Sequence, residues 1–151
     1  MTDEQRALDL AYKALNRRDR TVGELRGHLE GKLVEPAAID AAVAELERAG
    51  VLDDARFAQR LAEDKRMLER WGSERIEREL LRRGVPPDLA DATLAEQDRE
   101  GELGSALALL AEKVREPPVD DRARDRAWRM LVRKGYAPEL AYDAVRAHAS
   151  G

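Results

Sequence analysis

A catalytic reading needs groups that exchange protons near neutral pH, and this chain offers two histidines, His28 and His148. Neither has a partner at metal-ligand spacing, and with no cysteine in the chain, thiolate metal sites and disulfides are both ruled out. Glycine-rich phosphate loops of the GxxxxGK[ST] or GxGxxG kind are absent. Asp53-Asp54 is an adjacent acidic pair that could be read as a metal-binding or acid–base site. Its position before a periodic segment gives the simpler reading, in which aspartates meet the unpaired N–H groups and positive dipole end of a helix. The expectation is a protein that is not an enzyme, with no catalytic, cofactor-binding or metal-ligating residues.

Arginine carries the sharper signal. On a helical wheel, Arg122, Arg126, Arg129 and Arg133 fall within about 60° of one another, with Ala123, Ala127, Trp128, Met130, Leu131 and Val132 filling the rest. Arg75, Arg78 and Arg82 form the corresponding strip on an earlier helix, opposite Ile76 and Leu80. Glu24, Gly27 and Gly31 hold those positions near the N-terminus, so the strip is missing there. A solvated face laced with ion pairs is the bland alternative. Against it, the residues are all arginine, whose planar fork suits carboxylate or phosphate, and the register recurs. The strips are candidate partner-binding surfaces for an acidic protein or a nucleic-acid backbone. Trp71, at a helix end before Gly72, is a further candidate anchor, with packing between repeats as its alternative, while Trp128 reads as core.

A repeat must position these residues. Arg75, Ile76, Arg78, Leu80, Arg82 and Gly84 align with Arg126, Ala127, Arg129, Leu131, Arg133 and Gly135, each pair 51 positions apart. The first round has a helix from about Glu4 to Arg18 with Ala7, Leu8, Ala11, Tyr12 and Leu15 inward. A second opens on the Thr21/Glu24 capping box with Leu25, Leu29 and Leu33 inward, and a third starts at Pro36. The second round starts at Asp53 or Asp54 with Phe57, Ala58, Leu61 and Leu68 inward. Gly72 ends that helix, Ser73 caps the next with Ile76, Leu80 and Leu81 inward, and Pro86-Pro87 opens a short third helix. The third round begins after Gly101 and Gly104 and is broken by Pro117-Pro118. It continues with a helix from about Asp121 to Lys134 and another from Pro138. Leu33 stands where the later rounds have Gly84 and Gly135, so the first turn of this kind is expected to be built differently.

The fold expected is all-α: three tandem three-helix repeats, at 1–50, 51–98 and 99–151, forming an elongated, curved, solenoid-like chain. Composition agrees, with 38% charged and 4% aromatic residues and few β-branched ones to build a sheet. The net charge of -4 argues against wholesale phosphate binding. No apolar run approaches the ~20 residues of a membrane span, and the N-terminus lacks a signal-peptide pattern, so a soluble, cytoplasmic protein is expected.

The runs LDDARFA at 52–58 and GSERIERELLRRGV at 72–85 resemble the central signature of the bacterial RecX regulatory proteins. LNRRDRTVGELRGHL at 15–29 is similar to that family's opening repeat, with Thr21 where serine is common. The likeness spans essentially the whole chain and thins in the last repeat, where VRKGY at 132–136 carries it. It implies a chain of three three-helix repeats that binds the filament of the RecA recombinase on single-stranded DNA. It also implies inhibition of the filament's ATPase, strand-exchange and coprotease activities, with no cofactor and no catalysis of its own. A monomer with at most a secondary contact to single-stranded DNA fits that picture. The rivals are a helical nucleic-acid-binding protein or transcriptional regulator that contacts phosphates through the same arginines, and a scaffold with unrelated partners.

Overall fold

The computed structural model describes Met1 to Ser150, and among those residues there are nine α-helices and no strand. They are α1 (Asp3–Arg17), α2 (Val22–Gly31), α3 (Pro36–Arg48), α4 (Asp54–Leu68), α5 (Ser73–Arg82), α6 (Pro87–Leu94), α7 (Arg99–Lys113), α8 (Asp121–Arg133) and α9 (Pro138–Ser150). Their starts follow from local chemistry. Thr2 with Gln5 and Thr21 with Glu24 form reciprocal capping boxes at α1 and α2. Asp98 and Asp120 cap α7 and α8. Proline opens α3, α6 and α9, where its missing N–H leaves nothing unpaired.

The chain divides into two compact units: Met1–Gln59 with Leu80–Ala90, and Arg60–Glu79 with the residues from Asp91 on. In the first, α1, α2 and α3 pack mutually around Leu25, Leu29, Ile39, Val43 and Leu46. The inward face of α1 is all alanine, Ala7, Ala11 and Ala14. In the second, α9 packs on α7 and α8 around Leu109, Leu110, Leu131, Tyr136 and Ala141.

Several side chains expected inside lie outside. Tyr12 is 44% exposed, Leu33 86%, Leu68 79% and Leu81 41%. The apolar stripes are narrower than the sequence pattern, so the outermost member of each stays in water. The α7 helix begins at Arg99, because the Asp98 carboxylate accepts the Gly101 N–H at 2.7 Å, and both Gly101 and Gly104 lie within it. Ser73 is not the cap of α5. Gly72 contributes the first helical carbonyl, to Ile76 N–H, while the Ser73 hydroxyl bonds the Glu102 carboxylate.

The turn at Leu33 is the clearest departure. Expected to differ from its relatives, it is the same turn. Val34 N–H reaches the Leu29 carbonyl at 3.1 Å, as Val85 reaches Leu80 at 3.0 Å and Tyr136 reaches Leu131 at 3.1 Å. These bonds close a helix through a left-handed residue, and Leu33 adopts φ 60° where the others use Gly84 at 90° and Gly135 at 103°.

The two glycine turns do more than end helices. In the first unit the Gly84 turn lies against the start of α2. The buried Thr21 hydroxyl donates to the Arg83 carbonyl at 2.5 Å, and the Arg83 guanidinium bonds both oxygens of Glu24 at 2.8 and 3.2 Å. In the second unit the Gly135 turn meets the start of α5 more tightly. Gly72 N–H donates to the Lys134 carbonyl at 2.8 Å and Glu74 N–H to the Gly135 carbonyl at 3.0 Å. A Cβ on Gly135 would sit 2.4 Å from the Arg75 Cβ. Asp54 adds a strut in the first unit by accepting the Val22 N–H at 2.9 Å.

Substitutions at these turns have opposite expected signs. Leu33→Gly relieves a left-handed leucine that buries little, so urea unfolding should show a gain of up to about 1 kcal/mol. Gly135→Ala adds both strain and overlap and should lose about 3 kcal/mol or more. The Glu24 carboxyl responds first to burial, which pushes its pKa up. The Arg83 hydrogen bonds and the Thr21 N–H outweigh that and hold it below the ordinary glutamate value of 4.5. The unfolded chain therefore binds this proton more readily, so the contribution is present above the ordinary value and fades as pH falls through the folded one. Denaturant titrations of wild type and Glu24→Gln should differ at pH 7 and converge on acidification.

Candidate partner-binding surface

The arginine strip of α8 stands as the sequence places it. Ala127 and Leu131 face the core, while Arg122, Arg126, Arg129 and Arg133 are all exposed. Arg129 pairs with Asp125 one turn earlier, both in solvent, an arrangement worth little to folding. Trp128 is half-buried against the core, its indole N–H donating to the Pro138 carbonyl at 3.0 Å.

The earlier strip separates into two kinds of residue. Arg78 and Arg82 are exposed on α5. Arg75 is half-buried, with its guanidinium 4.1 Å from the Trp71 ring centroid, and its Cβ is the atom that a side chain on Gly135 would strike. The Lys65 ammonium lies 4.6 Å from the same ring. Trp71 thus makes cation–π contacts with two residues of its own unit, each worth roughly 0.5–1 kcal/mol where partly exposed.

The joint after α4 shows what the sequence pattern did not carry. Arg70 adopts φ 57°, a left-handed conformation with no glycine to announce it. It is held there from both sides. Its guanidinium bonds Glu112 through Nε and Nη2 at 3.2 and 3.0 Å, and its carbonyl accepts the Tyr136 hydroxyl at 2.8 Å. Tyr136 is fully buried, and burial pushes its ionisation well above the usual phenol range, so it acts as a donor at all ordinary pH values.

The remaining titratable candidates have structural roles. Asp53 caps α4 by accepting the Arg56 N–H at 3.0 Å, and burial pushes the Asp54 carboxyl above its usual range even though it accepts a backbone bond. The His148 Nε2 lies 2.6 Å from the Val114 carbonyl, fastening α9 to the end of α7. No group of acidic or histidine side chains among the described residues is placed to hold a metal ion. No helix among them is long and apolar enough to cross a membrane.

What this chain resembles is consistent across sequence and fold. Residues 7–46 match the family description "RecX, first three-helix domain" and residues 53–94 match "RecX, second three-helix domain". A protein of Deinococcus radiodurans named "Regulatory protein RecX" is 34% identical over 149 residues, covering 95% of this chain and 70% of that protein. One of the same name from Trichlorobacter lovleyi is 36% identical over 134 residues, covering 86% and 87%. The crystal structure of RecX from Lactobacillus salivarius superposes with a TM-score of 0.88 over 99% of this chain and 98% of that one. At 15% identity it speaks for the fold alone. With both domain descriptions matched and a third of its residues shared with full-length relatives, the chain belongs to the RecX family of regulatory proteins.

Proposed function

We propose that this chain binds the filament formed by the RecA recombinase on single-stranded DNA. There it inhibits ATP hydrolysis, strand exchange and coprotease activity, and so restrains recombination and the DNA-damage response. It acts by contact, without chemistry or cofactor of its own, as a monomer in the cytoplasm. The observation that carries the reading is the α8 face. Four arginines stand exposed along one side of a helix whose other side is anchored in a core, so the helix presents them at fixed spacing. Arg78 and Arg82 supply a second, smaller patch on α5.

A partner that is mainly protein fits the overall charge of -4, with phosphates of the filament's DNA as a secondary contact. Several modest patches engaging neighbouring subunits together gain affinity that none has alone. If those subunits must change relative position during turnover, a chain that favours one arrangement opposes the change. Our reading divides the chain into repeats at 1–50, 51–98 and 99–151. In its support, the two family domains at 7–46 and 53–94 each lie inside one of them.

The test is single-stranded-DNA-dependent ATP hydrolysis by RecA with substoichiometric amounts of this chain. Wild type should inhibit. Replacing Arg126, Arg129 and Arg133 together by Ala should weaken inhibition about tenfold or more, equivalent to roughly 1.4 kcal/mol of binding. Helicity and thermal unfolding should hardly move, since exposed charges contribute little to folding. Undiminished inhibition would reduce the strip to ordinary solvated surface. Tight binding to bare single-stranded DNA with a steep negative salt slope would favour direct nucleic-acid binding instead.

A further inference from the structure

The four arginines of the α8 strip are not equivalent. Arg122, Arg126 and Arg133 form no ion pair among the described residues, whereas Arg129 is paired with Asp125 at 2.5 Å, their side chains 63% and 46% exposed. At about 1.5 Å of rise per residue, the four positions follow one another at about 6, 4.5 and 6 Å along the helix axis. The pair therefore interrupts an otherwise continuous line of positive charge at its third member.

Folding gives Asp125 little reason to be there. The start of α8 is already capped by Asp120, whose carboxylate accepts the Ala123 N–H at 2.8 Å. Asp121 stands in the first turn and is paired with Arg124, which lies outside the strip. Asp125 comes after that turn, past the reach of the dipole at the helix start, and an exposed pair one turn apart contributes little to stability.

We propose that Asp125 is a specificity-determining residue of the partner surface, which keeps the strip from binding bare nucleic acid while leaving it open to a protein. This rests on the reading that the α8 face meets the RecA filament. The reason lies in how the two kinds of anion are arranged. A single strand carries a charge at every nucleotide, so phosphates laid along the strip must pass position 129, where Asp125 repels them and cancels the attraction of Arg129. Carboxylates on a protein surface are discrete. They can meet Arg122, Arg126 and Arg133 and leave Arg129 with its own partner. One acidic residue thus removes a whole contact from a polyanion and none from a matched protein surface.

The test is Asp125→Asn, which removes the charge at nearly constant shape. Its control is Asp9→Asn, which removes the same charge from an exposed pair of the same spacing, Asp9 with Lys13 on α1. Binding to a bare thymidine oligonucleotide and to RecA filaments on single-stranded DNA is measured over a salt series. Asp125→Asn should bind the bare strand about fivefold more tightly at about 0.1 M salt and steepen its salt slope by about 0.7, the increment of one further phosphate contact. Its filament binding should change by less than about twofold, because the discrete protein contacts are already made without Arg129. Asp9→Asn should match wild type on both. If Asp125→Asn gains nothing on the bare strand, or Asp9→Asn gains as much, Asp125 has no special role and the inference falls while the proposed function stands. An equal gain on filaments would show that Asp125 restrains every partner alike, which overturns the specificity. A wild-type chain that leaves RecA filaments unaffected overturns the proposed function, and this inference with it.

Discussion

A helix start and the turn that closes a later helix can share backbone hydrogen bonds only if no side chain keeps them apart. Gly135 meets that condition against Gly72 and Arg75, and Gly84 meets it against Thr21. At the Gly135 joint, orphan N–H groups at one helix start and orphan carbonyls at another helix end then satisfy each other, which removes two ordinary needs for solvent or capping side chains. Each contact also fixes direction, because a hydrogen-bonded backbone pair tolerates less sliding than an apolar face. The second unit contains such a backbone joint, while in the first the Gly84 turn is held by the Thr21 hydroxyl on the Arg83 carbonyl and by the Arg83–Glu24 pair.

That joint changes how the arginines are read. Position 75 looks equivalent to position 126 on a helical wheel, yet Arg75 lies beneath a seated turn and against Trp71, while Arg126 stands open beside a groove. A side chain already engaged within the protein can contribute to partner binding only by giving up its present contacts. Arg78, Arg82, Arg122, Arg126, Arg129 and Arg133 are exposed instead, four of them on the single helix α8, where Arg129 would have to give up only a solvent-exposed pair with Asp125. The proposed surface therefore rests mainly on α8.

Left-handed residues mark where packing overrides local preference. Leu33 and Arg70 both adopt a conformation that glycine enters freely. At Arg70 the compensation is visible in the bonds from Glu112 and Tyr136. At Leu33 the hydrogen bonds of the turn are identical in pattern to those of its glycine relatives. The geometry is thus set by closure of the helix before it, and the side chain follows.

Helix number, most helix starts and the repeat were legible in the sequence, because capping boxes, opening prolines and 3.6-residue periodicity are local features that act within a few residues. The family likeness was legible for the same reason, since its signature consists largely of caps and core positions. The limits of each buried stripe were not, and Leu33, Leu68 and Leu81 were misplaced because exposure depends on what lies opposite. Nor could the sequence tell Arg75 from Arg126, or give Ser73 to Glu102 and Asp54 to Val22. The last two pairings join residues 29 and 32 positions apart, and only the folded chain, which brings distant turns and helix starts together, decides them.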